Sequence, residues 1–93
     1  MKARWHNTTI ADSDTWLKVE GNIYFPLSSI RQEYLLPSST TTVCPRKGTA
    51  HYYDVVVDGE INKDAAWICP KPKAAAMNIK NFIAFWRRVE VMD

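Results

Sequence analysis

Between Thr42 and Trp67 the chain gathers a thiol (Cys44), three cations (Arg46, Lys47, Lys63), an imidazole (His51), two phenols (Tyr52, Tyr53), four carboxylates (Asp54, Asp58, Glu60, Asp64) and an indole (Trp67). The run Cys44-Pro45-Arg46-Lys47-Gly48 has the makings of an anion cradle. Pro45 and Gly48 favour a tight turn, and a tight turn can aim successive backbone N–H groups into one concavity. Lys47 or Arg46 would add the charge, and a phosphate or carboxylate would fit. The first glycine and the Lys-Ser/Thr ending of a P-loop are missing. The plainer reading is a Pro–Gly turn that only starts a strand.

Other chemistry is open to the same residues. Cys44 would serve as a nucleophile if Arg46, Lys47 or His51 lowered its pKa; the alternative is a half-buried structural thiol. Cys44, Cys69, His51 and His6 are zinc-ligand types. Their spacing matches no Cys-x-x-Cys knuckle, so no metal site is assigned. Asp54, Asp58 and Asp64 would hold magnesium only if they converged; a turn, an ion pair and a surface position account for them equally well. Tyr52, Tyr53, Trp67, Phe85 and Trp86 would stack on a base or other planar ligand, although aromatics in a small β domain usually belong to its core.

The elements that must position these groups are mostly strands. Lys2–His6 reads as a strand, Asn7-Thr8 as a turn and residues 9–11 as the return. Residues 15–20 are β-type, Gly21-Asn22 signals a turn, and Ile23–Phe25 is a strand that Pro26 ends. Residues 28–36 fit either a helical turn or an extended exit. Residues 38–43, rich in Ser and Thr, suit an exposed strand or a loop. Pro72 suits the first turn of a short helix over 73–81, with Ala75, Ile79 and Phe82 (or Ala76, Ile79 and Ile83) as its buried stripe. Residues 83–91 return to β patterning.

The clearest local element is a hairpin. Residues 50–57 are β-prone, Asp58-Gly59 signals a type I′ turn, and Glu60-Ile61-Asn62 starts back. Counting outward pairs Val57 with Glu60, Val55 with Asn62, Tyr53 with Asp64 and His51 with Ala66. The other face carries Val56 with Ile61, Asp54 with Lys63, Tyr52 with Ala65 and Ala50 with Trp67. Asp54 and Lys63 form a cross-strand ion pair in this register. Gly48 falls opposite Cys69, which brings the second thiol toward Cys44. One unpaired residue would flip everything beyond it.

Composition bounds the rest. Ninety-three residues make one domain, residues 1–93, with one modest core and no linker or repeat. A net charge of +2 is no nucleic-acid-binding excess. The N-terminus lacks a signal-peptide apolar region and no stretch approaches a membrane span, so the expected setting is cytoplasmic, with reduced thiols. The fold class is mainly β: a small antiparallel domain with one short helix near the C-terminus.

Several signatures together carry a resemblance. They are Tyr24-Phe25-Pro26, Pro37-Ser38, Thr42-x-Cys44-Pro45-x-Lys47-Gly48-x-Ala50-x-Tyr52-Tyr53, Asp58-Gly59, Asp64-Ala65-Ala66-Trp67 with Pro70 and Pro72, and Ile83-Ala84-Phe85-Trp86. In these the chain resembles the domain-of-unknown-function family 427, also labelled a nucleotidyltransferase domain, in its single-domain form. The resemblance implies a β-tent-like architecture, similar to zinc-binding domains and methionine-R-sulfoxide reductases, and no established activity. The chain has no Gly-Ser followed by an Asp-x-Asp pair, and none of the paired Cys-x-x-Cys motifs of the zinc-binding relatives. Family members often carry Trp where this chain has Arg46, and Tyr where it has Cys69. A ligand wall built there would be more polar and basic in this chain.

Three functions follow as expectations. The first is binding of a small anionic or nucleotide-like ligand by Cys44, Arg46, Lys47, Gly48, His51, Tyr53, Asp64 and Trp67, in a pocket containing Lys47 and His51. Burying Lys47 without a partner would be costly, and this favours that reading. The second is a protein-interaction module or homodimer using a sheet edge. The third is a Cys44/His51 enzyme. No residue pattern names a cofactor, and no membrane or nucleic-acid partner is expected.

Overall fold

A computed structural model describes residues 1–45 and 47–93, with the side chains of 74–76 also outside the described set. The strands are β1 (Lys2–Trp5), β2 (Thr8–Asp12), β3 (Leu17–Val19), β4 (Asn22–Pro26), β5 (Leu35–Cys44), β6 (Gly48–Val57), β7 (Glu60–Ile68), β8 (Phe82–Phe85) and β9 (Glu90–Met92). They form a three-stranded sheet, β2-β1-β9, and a six-stranded sheet, β3-β4-β8-β7-β6-β5. Every strand pairing is antiparallel. The protein is therefore mainly β. The short helix expected over 73–81 is a 3-10 segment, Ala74–Ile79. The ambiguous stretch 28–36 divides, with 3-10 turns at Leu27–Ser29 and Gln32–Tyr34 before β5 begins. Among the described residues no helix is long and apolar enough to cross a membrane.

Two-residue turns close three hairpins, each with positive φ at both central residues: His6-Asn7, Glu20-Gly21 and Asp58-Gly59. This is the type I′ geometry, whose twist matches that of the strands it joins. Asp58-Gly59 lies where expected. The other two fall one residue earlier than the sequence suggests, and Trp5 pairs with Thr8 and Val19 with Asn22. The second shift matters for function, because it puts Glu20 at the tip of the β3–β4 hairpin.

The β6–β7 register follows the expected count near the turn, with Val57 opposite Glu60, Val56 opposite Ile61 and Val55 opposite Asn62. Beyond Asp54 it slides. Tyr53 faces Ala66, Tyr52 faces Trp67 and His51 faces Ile68, rather than Asp64, Ala65 and Ala66. Lys63, Asp64 and Ala65 occupy the length that Asp54 alone fills on β6, a surplus of two residues. A surplus of one would have turned the strand over; a surplus of two keeps each residue on its face and displaces its neighbours. Asp64 takes the strain, with φ at 54°.

β5 carries a matching irregularity. Pro37 pairs with Tyr53 and Thr41 with His51, so residues 38–40 stand against Tyr52 alone. The two bulges meet across β6. Asp64 accepts hydrogen bonds from Ser38 Oγ at 2.5 Å and Thr40 Oγ1 at 2.8 Å. The Asp64 backbone N–H donates to Asp54 Oδ1 at 2.9 Å. Lys63 Nζ lies 3.6 Å from Asp54 and 3.7 Å from Asp64, so the expected Asp54–Lys63 pair forms inside this clasp.

The six-stranded sheet has two unlike faces. One carries Phe25, Val55, Val57, Ala66, Ile83 and Phe85, and packs on Ala3, Ile10, Ala11 and Val89 of the small sheet and its approaches. The other carries Tyr24, Ala50, Cys69 and Ala84, and is covered by Ile79. Of the two expected stripes, Ile79 and Phe82 share one core, whereas Ile83 belongs to the other. Ala75 and Ala76 lie outside the described side chains.

Candidate functional site

Among the described residues lies a cavity of about 290 Å³, lined by Asn22, Thr42, Cys44, Lys47, Ala50, Tyr52, Trp67, Cys69 and Trp86. Strand alternation explains the set. Thr42 and Cys44 on β5 are opposite Ala50 and Gly48 on β6, and Tyr52 is opposite Trp67 on β7. All project to the side away from the small sheet.

The aromatic wall is a packed cluster. Tyr52 and Trp67 have ring centroids 6.3 Å apart, and Tyr52 and Trp86 also 6.3 Å. Trp67 and Trp86 meet edge to face at 5.8 Å. Polar tips hold the rings in place. Tyr52 Oη bonds Thr42 Oγ1 at 3.2 Å, and the Trp86 indole N–H donates to the Asp64 carbonyl. The clasp therefore reaches the cavity through Trp86. The Arg87 guanidinium stacks over the Trp86 ring at 4.6 Å.

Lys47 supplies the cavity's charge. It is only 8 % exposed. Its ammonium donates to Tyr24 Oη at 2.9 Å and lies 3.7 Å from Glu20 Oε2. The Trp67 indole N–H reaches the same Tyr24 oxygen at 3.4 Å. Burial alone would lower the lysine pKa. The Tyr24 hydrogen bond, with Tyr24, Glu20 and Cys44 close by, outweighs it, and the pKa ends above the ordinary lysine value. Lys47 is thus a fixed cation, poorly suited to act as a neutral amine nucleophile.

Cys44 and Cys69 line the same cavity and both are thiols; the expected Gly48–Cys69 pairing is displaced by the two-residue slide, and Gly48 approaches Lys71 instead. Burial pushes the Cys69 thiol up; the nearby Lys47 ammonium opposes this, and Cys44 adds to it. Cys69 is 1 % exposed and stays protonated at neutral pH.

The expected site residues divide. Cys44, Lys47 and Trp67 meet in this cavity. His51 and Tyr53 line a separate depression of about 320 Å³ with Pro37, Ser38, Tyr52, Ile68 and Pro70. The expected pocket containing both Lys47 and His51 is not formed: His51 belongs to the face that pairs with Ile68, and Lys47 folds under the opposite one. Asp64 is held in the clasp, where the hydroxyls of Ser38 and then Thr40 keep its carboxyl below the usual range. Gly48 has φ at 89°, and a Cβ there would stand 3.1 Å from the Lys71 carbonyl oxygen. Its role is to let two backbones approach. Arg46 lies outside the described residues. Among the described residues, no three of the His, Cys, Asp or Glu side chains are grouped to hold a metal.

Glu20, Asn22, Tyr24, Thr42, Cys69, Tyr52 and Trp86 complete the neighbourhood without having been assigned to the site. Tyr52 and Trp86 carried a signal as candidate stacking residues, and Tyr24 stood in a family signature. Glu20 carried none, since its place depends on the turn register. The cost of burying Lys47, expected to favour a ligand, is met within the chain by Tyr24, 23 positions away, and by Glu20.

Comparison with known proteins adds a family. The model of a domain of unknown function, DUF427, matches residues 1–93. No curated protein matches the chain.

Proposed function

The chain belongs to the DUF427 family, whose description assigns no activity, and we propose that it binds a small planar ligand in the aromatic cavity, with an anionic or hydrogen-bond-accepting edge toward Lys47. One observation supports this reading: a buried ammonium, its pKa raised by its neighbours, sits at the wall of a hollow that also carries the rings of Tyr52, Trp67 and Trp86. Small-molecule sites combine apolar walls with a few convergent polar groups in this way. The volume is near the lower end of the usual range of about 300–1,000 Å³, which suits one ring system with a substituent rather than a dinucleotide.

The sign of charge favours an anion. Aromatic cages attract organic cations when nothing competes. Here Lys47 stands in the wall and Arg87 covers one Trp86 face. A mononucleotide, with its base on the rings and its phosphate at Lys47, satisfies both features, as does an aromatic carboxylate. Glu20 shares Lys47, so the ligand's anion must compete with an internal carboxylate.

Native mass spectrometry of gently purified protein tests the reading, beside tryptophan fluorescence titrated with adenosine monophosphate and with benzoate. The expected result is a retained mass or saturable quenching, weakened about tenfold or more in Lys47→Met, a loss of about 1.4 kcal/mol. A bare chain together with flat titrations into the millimolar range sinks the proposal.

A further inference from the structure

The polar side chains around the cavity are mostly spent on one another. Lys47 donates to Tyr24 Oη at 2.9 Å, and the Trp67 indole N–H reaches the same oxygen at 3.4 Å. Thr42 Oγ1 and Tyr52 Oη bond each other at 3.2 Å. The Trp86 indole N–H is taken by the Asp64 carbonyl. Asn22 differs. It lines the cavity and is half-buried, and among the described residues its side-chain amide has no hydrogen-bond partner.

Its position follows from the strand. Asn22 and Tyr24 are two residues apart on β4, so both project from the cavity face of the six-stranded sheet. Counting on from Tyr24 opposite Ala84 brings Asn22 toward Trp86, one of the cavity's rings. The β3–β4 hairpin fixes it from the other side. Val19 is opposite Asn22, and Glu20 at the tip places a carboxylate oxygen 3.7 Å from the Lys47 ammonium.

We infer that Asn22 reads the edge of the ligand's ring, and that the ligand is a heteroaromatic acid whose ring carries a donor and an acceptor side by side, as in a lactam. The inference rests on the proposed binding of a planar anion in this cavity. A side-chain amide offers two N–H donors and a carbonyl acceptor. Half-buried, it is open to solvent until a ligand covers it. A ring pressed over it takes that solvent away, and any end then left unpaired weakens binding. A lactam edge pairs with both ends of the amide. A hydrocarbon ring pairs with neither, and a carboxylate pairs with the N–H end alone.

The neighbours of Asn22 favour the ring edge over the acid group. Lys47 already supplies a charged donor for the acid, and the Glu20 carboxylate, two residues from Asn22, repels a second anionic contact on that side. Asn22 is therefore the specificity-determining residue of the cavity. Sites built to hydrogen-bond a ring substituent reject analogues that lack it more strongly than apolar walls reject a change of size.

NMR titration of the isotope-labelled full chain with orotate and with benzoate tests this. Each probe is a single six-membered ring with one carboxylate; orotate adds lactam edges and benzoate has none. The wild type is expected to bind orotate about tenfold or more tighter than benzoate. Asn22→Leu, close in size, should remove that preference, weakening orotate about tenfold and leaving benzoate within about twofold. Equal affinities in the wild type overturn the inference while the cavity's ligand binding stands, and this comparison needs no variant to fold. A folded Asn22→Leu that keeps the preference overturns it, as does one that weakens both probes alike, because the amide then serves the acid group. Silence from both probes into the millimolar range also overturns it, and the adenosine monophosphate titration then shows whether ligand binding falls with it.

Discussion

The two faces of the six-stranded sheet are built from alternate residues of the same strands, yet they end in different states. On the face toward the small sheet, Phe25, Val55, Ala66, Ile83 and Phe85 pack with Ala3, Ile10, Ala11 and Val89 in one buried apolar cluster. On the other, Tyr24 is buried in one cluster with Ile79, and Tyr52, Trp67 and Trp86 line a cavity. The residue types follow the surroundings. Full burial suits side chains without polar atoms, or one such as Tyr24 whose polar atom is hydrogen-bonded. Partial burial suits rings with a polar tip, which can pack on one side and bond on the other. The comparison teaches that polar-tipped rings gather where the sheet adjoins a cavity, and apolar side chains where it faces the small sheet.

The largest expected effect tests the closed face. Phe25 is fully buried and packs edge to face on Phe85 at 5.8 Å. Phe25→Ala should cost about 3–5 kcal/mol, read by denaturant unfolding. A loss below about 1 kcal/mol would show that the faces do not divide as argued.

Tyr24→Phe probes the polar floor of the open face. It removes the hydroxyl that accepts the Lys47 hydrogen bond and leaves the ring. The expected cost is about 1–3 kcal/mol, because a buried ammonium loses its nearest partner. The pH dependence gives a second readout. Lys47 has a raised pKa in the folded protein, so its contribution is complete below the free-lysine value of about 10.4. It disappears as pH rises through the folded value. Tyr24→Phe should flatten that alkaline limb, and an unchanged limb would mean that Lys47 is held by other groups.

The clasp should show at the acid end. The Asp64 carboxyl is lowered by Ser38 and Thr40, so its contribution is complete above the free carboxyl value of about 3.9 and is lost as pH falls through the folded value. Asp64→Asn should make the protein less stable at neutral pH and less sensitive to acid, measured by melting temperature between neutral and acid pH. Equal acid sensitivity in both proteins would remove the clasp from the account.

The smallest effects on stability belong to the cavity rim. Trp86 is 43 % exposed, and Glu20 sits at a hairpin tip. Glu20→Gln should change stability by about 1 kcal/mol or less, because Glu20 is exposed and Lys47 keeps its Tyr24 hydrogen bond. It should tighten binding of an anionic probe severalfold by releasing Lys47 from a competing carboxylate. Weaker binding would instead make Glu20 part of the ligand's own contacts.

Much of the local architecture was legible in the residues. Asp58-Gly59 marks its turn because both positions need positive φ, and β-branched runs on either side supply the strands. Pro26 and Pro72 bound elements because they remove backbone donors. Alternation also placed Cys44 and Cys69 on one side, since it depends only on parity. The convergence expected of Lys47 and His51 failed for a different reason: Lys47 lies in the turn before β6, where strand parity no longer governs direction.

The sequence by itself determined a mainly β chain, the type I′ hairpin at Asp58-Gly59 and the richness of the 42–67 stretch in reactive side chains. These depend on φ preferences and on alternation, which act over a few residues. Tertiary structure alone decided the two-residue slide at 63–65, which is held by Ser38 and Thr40 from another strand. It also decided the partnership of Lys47 with Tyr24 and the placement of Glu20. Each of these joins residues far apart in the chain, and each is set by where a buried charge or a surplus of backbone can find hydrogen bonds.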